Sequence, residues 1–132
     1  MEIKIIPFEN KYAKSLSTMW SESSAGWNGS DMAFSVETII REEEKAHVNT
    51  NLAIQGEKVV GYCNLENDKI PGAYYIGMLN VLPTMHGNKI GKRLILKALD
   101  KTMEDNVKRL DLYTWSGMYN MFKLIHPKKA KE

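Results

Sequence analysis

The sequence predicts an α+β domain, a mixed and mostly antiparallel sheet flanked by helices. Three observations carry this. Two β-rich runs flank Gln55-Gly-Glu57 and read as a hairpin. An apolar strand from Ala73 to Leu82 meets Pro83 and a loop with Gly87 and Gly91, and a helical period follows at once. Arg109 to Trp115 then returns as a strand, and strand, helix, strand calls for a right-handed crossover between parallel neighbours.

The elements follow in order. Ile3 to Phe8 alternates weakly and ends near a proline, which suits an opening strand at a sheet edge. Asn10 is a candidate cap for a helix with Tyr12, Leu16, Met19 and Trp20 on one side. Ser23 to Ser30, rich in Ser, Gly and Asn, reads as a loop. Ser35 to His47 reads as a second helix whose capping box is incomplete, because Thr38 stands where Glu would complete it. The hairpin strands are Asn51 to Ile54 and Lys58 to Leu65, and Glu66 to Gly72 forms the next turn region. From Ile90, the apolar positions Leu94, Ile95, Ala98, Leu99, Thr102 and Met103 mark one face of a helix ending near Asn106.

Bulk properties narrow the function classes. A chain of 132 residues suits one domain with a real core. Its net charge of +2 is too small to argue for nucleic acid or an acidic membrane surface. No apolar run approaches the roughly 20 residues of a membrane span, and the N-terminus lacks a signal-peptide h-region. The lone cysteine, Cys63, excludes an intrachain disulfide framework and fits a reducing compartment. These features predict a cytoplasmic protein in which the sequon Asn28-Gly-Ser30 has no role.

The loop after the fourth strand carries the chemistry. A strand, a glycine-bearing loop and a helix start present unpaired backbone N–H groups and a favourable dipole to a phosphorylated ligand. The spacing Gly87-x-x-x-Gly91 lacks the third glycine of the dinucleotide fingerprint, and no Gly-Lys-Ser/Thr follows for a P-loop. The arrangement resembles motif A of the GNAT N-acetyltransferase superfamily, a strand ending Val-x-Pro followed by Arg/Gln-x-x-Gly-x-Gly/Ala at a long helix. Val81-Leu-Pro83 matches the strand end, and His86-Gly-Asn-Lys-Ile-Gly91 occupies the loop. The order of elements from about Ile3 to Trp115 fits the same family.

The resemblance implies an acetyl-CoA-dependent N-acyltransferase acting on a primary amine of a small molecule or peptide, with no metal. It implies that amides of residues 87 to 92, covering Gly87, Asn88, Lys89, Ile90, Gly91 and Lys92, cradle the pyrophosphate, with Lys92 and Arg93 adding charge. His86 stands where Arg or Gln is usual and could donate to phosphate. Lys89 replaces the middle glycine, which requires only that it take ordinary helical dihedrals. The strand of this family splays from its neighbour, leaving the backbone groups of Leu79 and Val81 to the pantetheine arm. The N–H of Leu79 would polarise the thioester carbonyl and stabilise the oxyanion.

The C-terminus departs from the family. Residues 1–117 form the expected acetyltransferase domain, and 118–132 a divergent tail without regular structure. Ile125 stands where a tyrosine commonly protonates the thiolate, Leu124 holds the leucine position, and Pro127 breaks any helix. Tyr119 is the nearest phenol, out of register. The fold is therefore expected to lack the usual final strands, to expose a sheet edge that a homodimer would cover, and to transfer acetyl slowly.

Other residues have plainer readings. His47, His86 and His126 lack metal spacing, and Cys63 reads as core. The run Glu42-Glu-Glu44 reads as a solvated helix face. Trp20, Trp27, Tyr74 and Tyr75 are candidates to line an acceptor pocket, and Glu22, Glu66 and Asp68 to accept a proton. Two rival functions remain: a CoA-binding module that has lost catalysis, and a nucleic-acid-binding domain using Lys89, Lys92, Arg93 and the basic tail. The near-neutral charge and the lack of a stacking-aromatic motif argue against the second.

Overall fold

The computed structural model describes residues 2–22, 35–45, 47–114 and 117–120. Over these the chain runs β1 (Ile3–Pro7), α1 (Ala13–Glu22), α2 (Val36–Glu44), β2 (Asn49–Gln55), β3 (Lys58–Asn67), β4 (Ala73–Val81), α3 (Ile90–Glu104), β5 (Arg109–Thr114) and β6 (Gly117–Asn120). The strands form one sheet in chain order. Only β4 and β5 are parallel, and the other neighbours are antiparallel. This is the mixed α+β architecture that the sequence predicts.

The helices take opposite faces of the sheet. A Cβ on Gly61 would lie 3.0 Å from Leu94 and 3.1 Å from Ile90, so that side of β3 meets α3. The next residue, Tyr62, points the other way. Its ring meets Trp20 of α1 edge-on, with centroids 5.2 Å apart. Leu16, Met19, Leu52, Leu65, Ile76, Leu94, Leu99 and Leu110 are essentially solvent-free in the core. Ser15 Oγ accepts from the Val59 N–H at 2.8 Å and fixes α1 along β3.

Local chemistry sets the element ends. Gln55 pairs with Lys58 across a two-residue turn, and Gly56 there has φ +62°, which glycine adopts without strain. Ser35 caps α2 by accepting the Thr38 N–H at 3.2 Å. Its hydroxyl also donates to Thr38 Oγ1 at 2.9 Å, so threonine serves where the glutamate of a capping box is missing. At the end of α3, Asn106 is left-handed, its N–H reaches Met103, and the Val107 N–H reaches Thr102. This double closure is a Schellman motif, and it ends the helix where the periodicity predicts.

Two expectations are corrected. Asn10 does not cap α1: Asn10–Tyr12 form a 3₁₀ turn entered from Glu9, with no side-chain cap, and α1 continues from it. Strand pairing also does not stop at Gly117. Residues Gly117–Asn120 form β6, which pairs antiparallel with Asp111–Thr114. The chain itself, rather than a second subunit, therefore covers that stretch of β5. The loop at 23–30 with Trp27 and the sequon, and the tail with Leu124, Ile125, His126 and Pro127, lie outside the described residues.

Candidate active site

Strand β4 changes character halfway. Ala73 to Ile76 pair with β3 on one side and with Arg109 to Leu112 of β5 on the other. Beyond Ile76, β4 keeps its pairing to β3 but has none to β5. The register explains the break. Ile76 pairs with Leu65 and Met78 with Asn64, which leaves Gly77 as an extra residue. A bulge of this kind bends the strand and increases its twist, so the second half leaves its parallel neighbour.

The open half presents backbone groups. The Leu82 N–H donates to the Val60 carbonyl at 2.9 Å, so Leu82 faces β3. Alternation then turns the groups of Asn80 and Met78 to β3, and those of Val81 and Leu79 to the gap. His86 confirms this direction. Its Nε2 lies 3.1 Å from the Val81 carbonyl oxygen, which can only accept, so the ring donates there.

The chain leaves β4 through a 3₁₀ turn at Pro83–Met85 and enters α3 through left-handed residues. Gly87 has φ +89°, and nothing lies within 4 Å of where its Cβ would be. Lys89 has φ 59° and ψ 21°, which corrects the expectation of ordinary helical dihedrals. Glycine adopts this conformation freely, whereas a residue with a Cβ gives up roughly 1–2 kcal/mol. The first helical bond runs from the Arg93 N–H to the Lys89 carbonyl. Among the described residues, no backbone acceptor takes the N–H groups of residues 87 to 92. A Cβ on Gly91 would stand 3.8 Å from Val81, an ordinary contact, so the spacing of α3 and β4 does not itself require glycine there.

Together these residues shape a cleft of about 520 Å³, bordered by Leu79, Val81, His86, Gly87, Lys89 and Gly91. Asn88 stays in the turn, donating to the Met85 carbonyl at 3.0 Å. Lys92 is exposed at the helix start. Arg93 differs from expectation: its guanidinium donates to the Ile3 carbonyl at 3.0 Å and is committed to β1, at the far edge of the sheet from the gap.

A second cavity of about 450 Å³ lies on the α1/α2 face, and it reaches β4 at Gly77 and Met78. Trp20, Tyr62 and Tyr75 form aromatic walls, and Glu42, Glu43 and Glu66 also line it. The two cavities border consecutive stretches of one strand, the second reaching Met78 and the first starting at Leu79.

Of the candidate acceptor-pocket residues, Trp20, Tyr75 and Glu66 come together here. Tyr74 does not, because its hydroxyl donates to Asp105 at 2.7 Å, which holds the Asp105 carboxyl below its ordinary value. Glu22 and Asp68 lie outside the cavity lining. The reading of Glu42-Glu-Glu44 as a solvated face fails at Glu43. That carboxylate accepts from Tyr62 and Thr50, each at 3.1 Å, and lies 3.3 Å from His47 Nε2. Burial first, and then the Glu43 charge, push the Tyr62 hydroxyl well above its ordinary value. The sequence contained a signal for this, since Glu43 falls four residues after buried Ile39, on the same helical face. Tyr75 is also raised, by burial and then by the charges of Glu66 and Asp68. Cys63 is 2 % exposed, and burial pushes its thiol up to about 12, as suits a core residue. Among the described residues there is no group of three ligands that could hold a metal, and no helix long and apolar enough to cross a membrane.

Comparison with known proteins agrees with the fold. A GNAT-family acetyltransferase from Staphylococcus aureus Mu50 superposes with a TM-score of 0.70 at 20% identity, over 86% of this chain and 73% of that one. The PaiA N-acetyltransferase of Thermoplasma acidophilum, solved with coenzyme A, gives 0.65 at 20% identity over 86% and 80%. A GNAT-family acetyltransferase from Brucella melitensis, solved with acetyl-CoA, gives 0.68 at 19% identity over 86% and 76%. At such identities the likeness establishes the fold. No curated protein matches the sequence. The sequence profile of the acetyltransferase (GNAT) family, however, matches residues 13–123. The chain thus belongs to the GNAT acetyltransferase family, and by that membership it is an acetyl-CoA-dependent acyltransferase.

Proposed function

We propose that the chain transfers an acetyl group from acetyl-CoA to a primary amine of a small molecule or peptide, in the cytoplasm. One observation carries the site assignment: the half of β4 freed by the Gly77 bulge leads directly into the unpartnered amides at the start of α3. Bound acetyl-CoA would supply the activated acyl group. The Leu79 N–H faces the gap and would donate to the thioester carbonyl oxygen, where negative charge develops. The Val81 groups would meet the amide-rich arm, which requires His86 to yield the Val81 carbonyl and leaves its ring available to phosphate. The amides of Gly87, Asn88, Lys89, Ile90, Gly91 and Lys92 would receive the pyrophosphate, with the Lys92 ammonium adding charge. Arg93 instead donates to the Ile3 carbonyl and is assigned to linking α3 with β1 at the surface.

The fit is physical. Hydrogen-bond donors without partners at a helix start suit an anion, and a cleft of this size suits an extended thioester arm. The rival, a CoA-binding module without catalysis, shares every one of these contacts. Calorimetry with coenzyme A and free-thiol release from acetyl-CoA with an amine panel separate the two. Binding with amine-dependent thiol release supports the enzyme, binding alone supports the module, and no binding contradicts both.

A further inference from the structure

The cavity beside the open half of β4 points to a substrate class, an inference that rests on the acetyl-transfer reading above. We propose that it takes a small aliphatic amine bearing a second cationic group, and that Glu66 holds that group. At about 450 Å³ it falls in the range of small-molecule sites. Among the described residues its lining contains carboxylates and aromatic rings and no lysine or arginine.

The carboxylates are not equivalent. Glu43 is occupied by Tyr62, Thr50 and His47. Glu42 sits on the exposed side of α2 and pairs with Lys45 at 3.0 Å. Glu66 is half-buried, and among the described residues no hydrogen bond or ion pair holds its carboxylate. Its position is built. A Cβ on Gly77 would lie 3.1 Å from Glu66 Cγ and 2.9 Å from Asn64 Oδ1, so the bulge glycine makes the space in which both side chains lie. Glu66 therefore stands where the cavity meets the open half of β4.

The amine that attacks must be neutral, since its lone pair forms the new bond. A cation that stays paired with Glu66 in the bound acceptor is therefore a second group, distinct from the attacking amine. Tyr62 and Tyr75 offer faces for the intervening alkyl chain and for the cation itself. Glu66 acts here as a specificity residue and takes no bond-making part.

Calorimetric titration of the full chain, loaded with coenzyme A, tests this with cadaverine against n-pentylamine. Cadaverine should bind about tenfold to a hundredfold tighter, the effect of one charge-assisted hydrogen bond. Glu66→Gln should remove that preference while leaving coenzyme A affinity unchanged, and Glu66→Asp should restore part of it. In turnover, the loss should fall on KM rather than kcat. Equal affinities, no binding of either amine, or a preference that survives Glu66→Gln would overturn the proposal. Failure of wild-type protein to bind coenzyme A would instead overturn the acetyl-transfer reading, and this inference with it.

Discussion

From Ala73 to Ile76, β4 lies between two strands, with Ala73 and Ile76 buried. From Gly77 to Val81 the same strand is paired on one side only and borders both cavities. The residues do not differ enough in hydrophobicity to explain this, since Met78, Leu79 and Val81 are as apolar as the first half. The difference is one unpaired residue. Inserting Gly77 costs a few ladder bonds and turns the rest of a core strand into a binding surface. Half of β4 is spent on stability and half on function, and each half has its own way to fail.

Proline separates the halves most sharply. Ile76→Pro removes a ladder group in a strand paired on both sides together with a fully buried side chain, and should cost about 3 kcal/mol or more, enough to prevent stable folding. Leu79→Pro removes an N–H that faces the gap and breaks no bond to β3. It should leave a folded protein whose turnover falls ~10²–10³-fold, as for a lost oxyanion donor. Circular dichroism melting and thiol release read the two effects. Equal destabilisation by both substitutions would mean that the second half is paired after all.

The next effect is smaller and lies where the open half meets α3. Lys89→Gly should stabilise the protein by about 1 kcal/mol in urea unfolding, because it relieves a left-handed backbone. Gly87→Ala should cost a similar amount through backbone strain alone, since its surroundings are open. A destabilising Lys89→Gly would show that the Lys89 side chain contributes more than the strain it brings.

The smallest effect concerns Cys63, which pairs with Leu79 across β3 and β4 yet faces the core. Burial raises the thiol from 9.0 to about 12, so over that interval the native thiol stays protonated while the unfolded one ionises. Alkylation at pH 9 should therefore be slow in the native protein and rapid in urea. As pH rises through this window, the unfolded state gains by ionising its thiol, and stability falls. Rapid native labelling would place Cys63 in the open cleft.

Most of the fold was legible because it rests on local signals. The Gly56 turn, the helical period from Ile90 and the strand on either side of α3 each follow from short-range chemistry. What escaped was tertiary. Arg93 reaches a carbonyl 90 residues away, and no pattern within α3 announces that. The strand β6 pairs through a segment that diverges from the family, so the resemblance could not supply it. The site was half legible. Val81-Leu-Pro83 and the two loop glycines located the cleft, but family likeness hid the left-handed Lys89, since a non-glycine residue suggested ordinary helix. The bulge had a signal of its own, a glycine inside an apolar strand, where bulges and close approaches concentrate. The second cavity draws on α1, α2, β3 and β4, which only the assembled fold brings together.

On the proposed function, the gap side of β4 beyond Gly77, together with the start of α3, receives acetyl-CoA. Nitrogen–proton correlation spectra of the backbone amides, recorded during titration with coenzyme A, test it most directly. The largest shifts should fall on Leu79, Val81 and residues 87 to 92, with Ala73 to Ile76 little changed. Shifts spread over Ala73 to Ile76 or confined to β1, or spectra that do not respond, would contradict it.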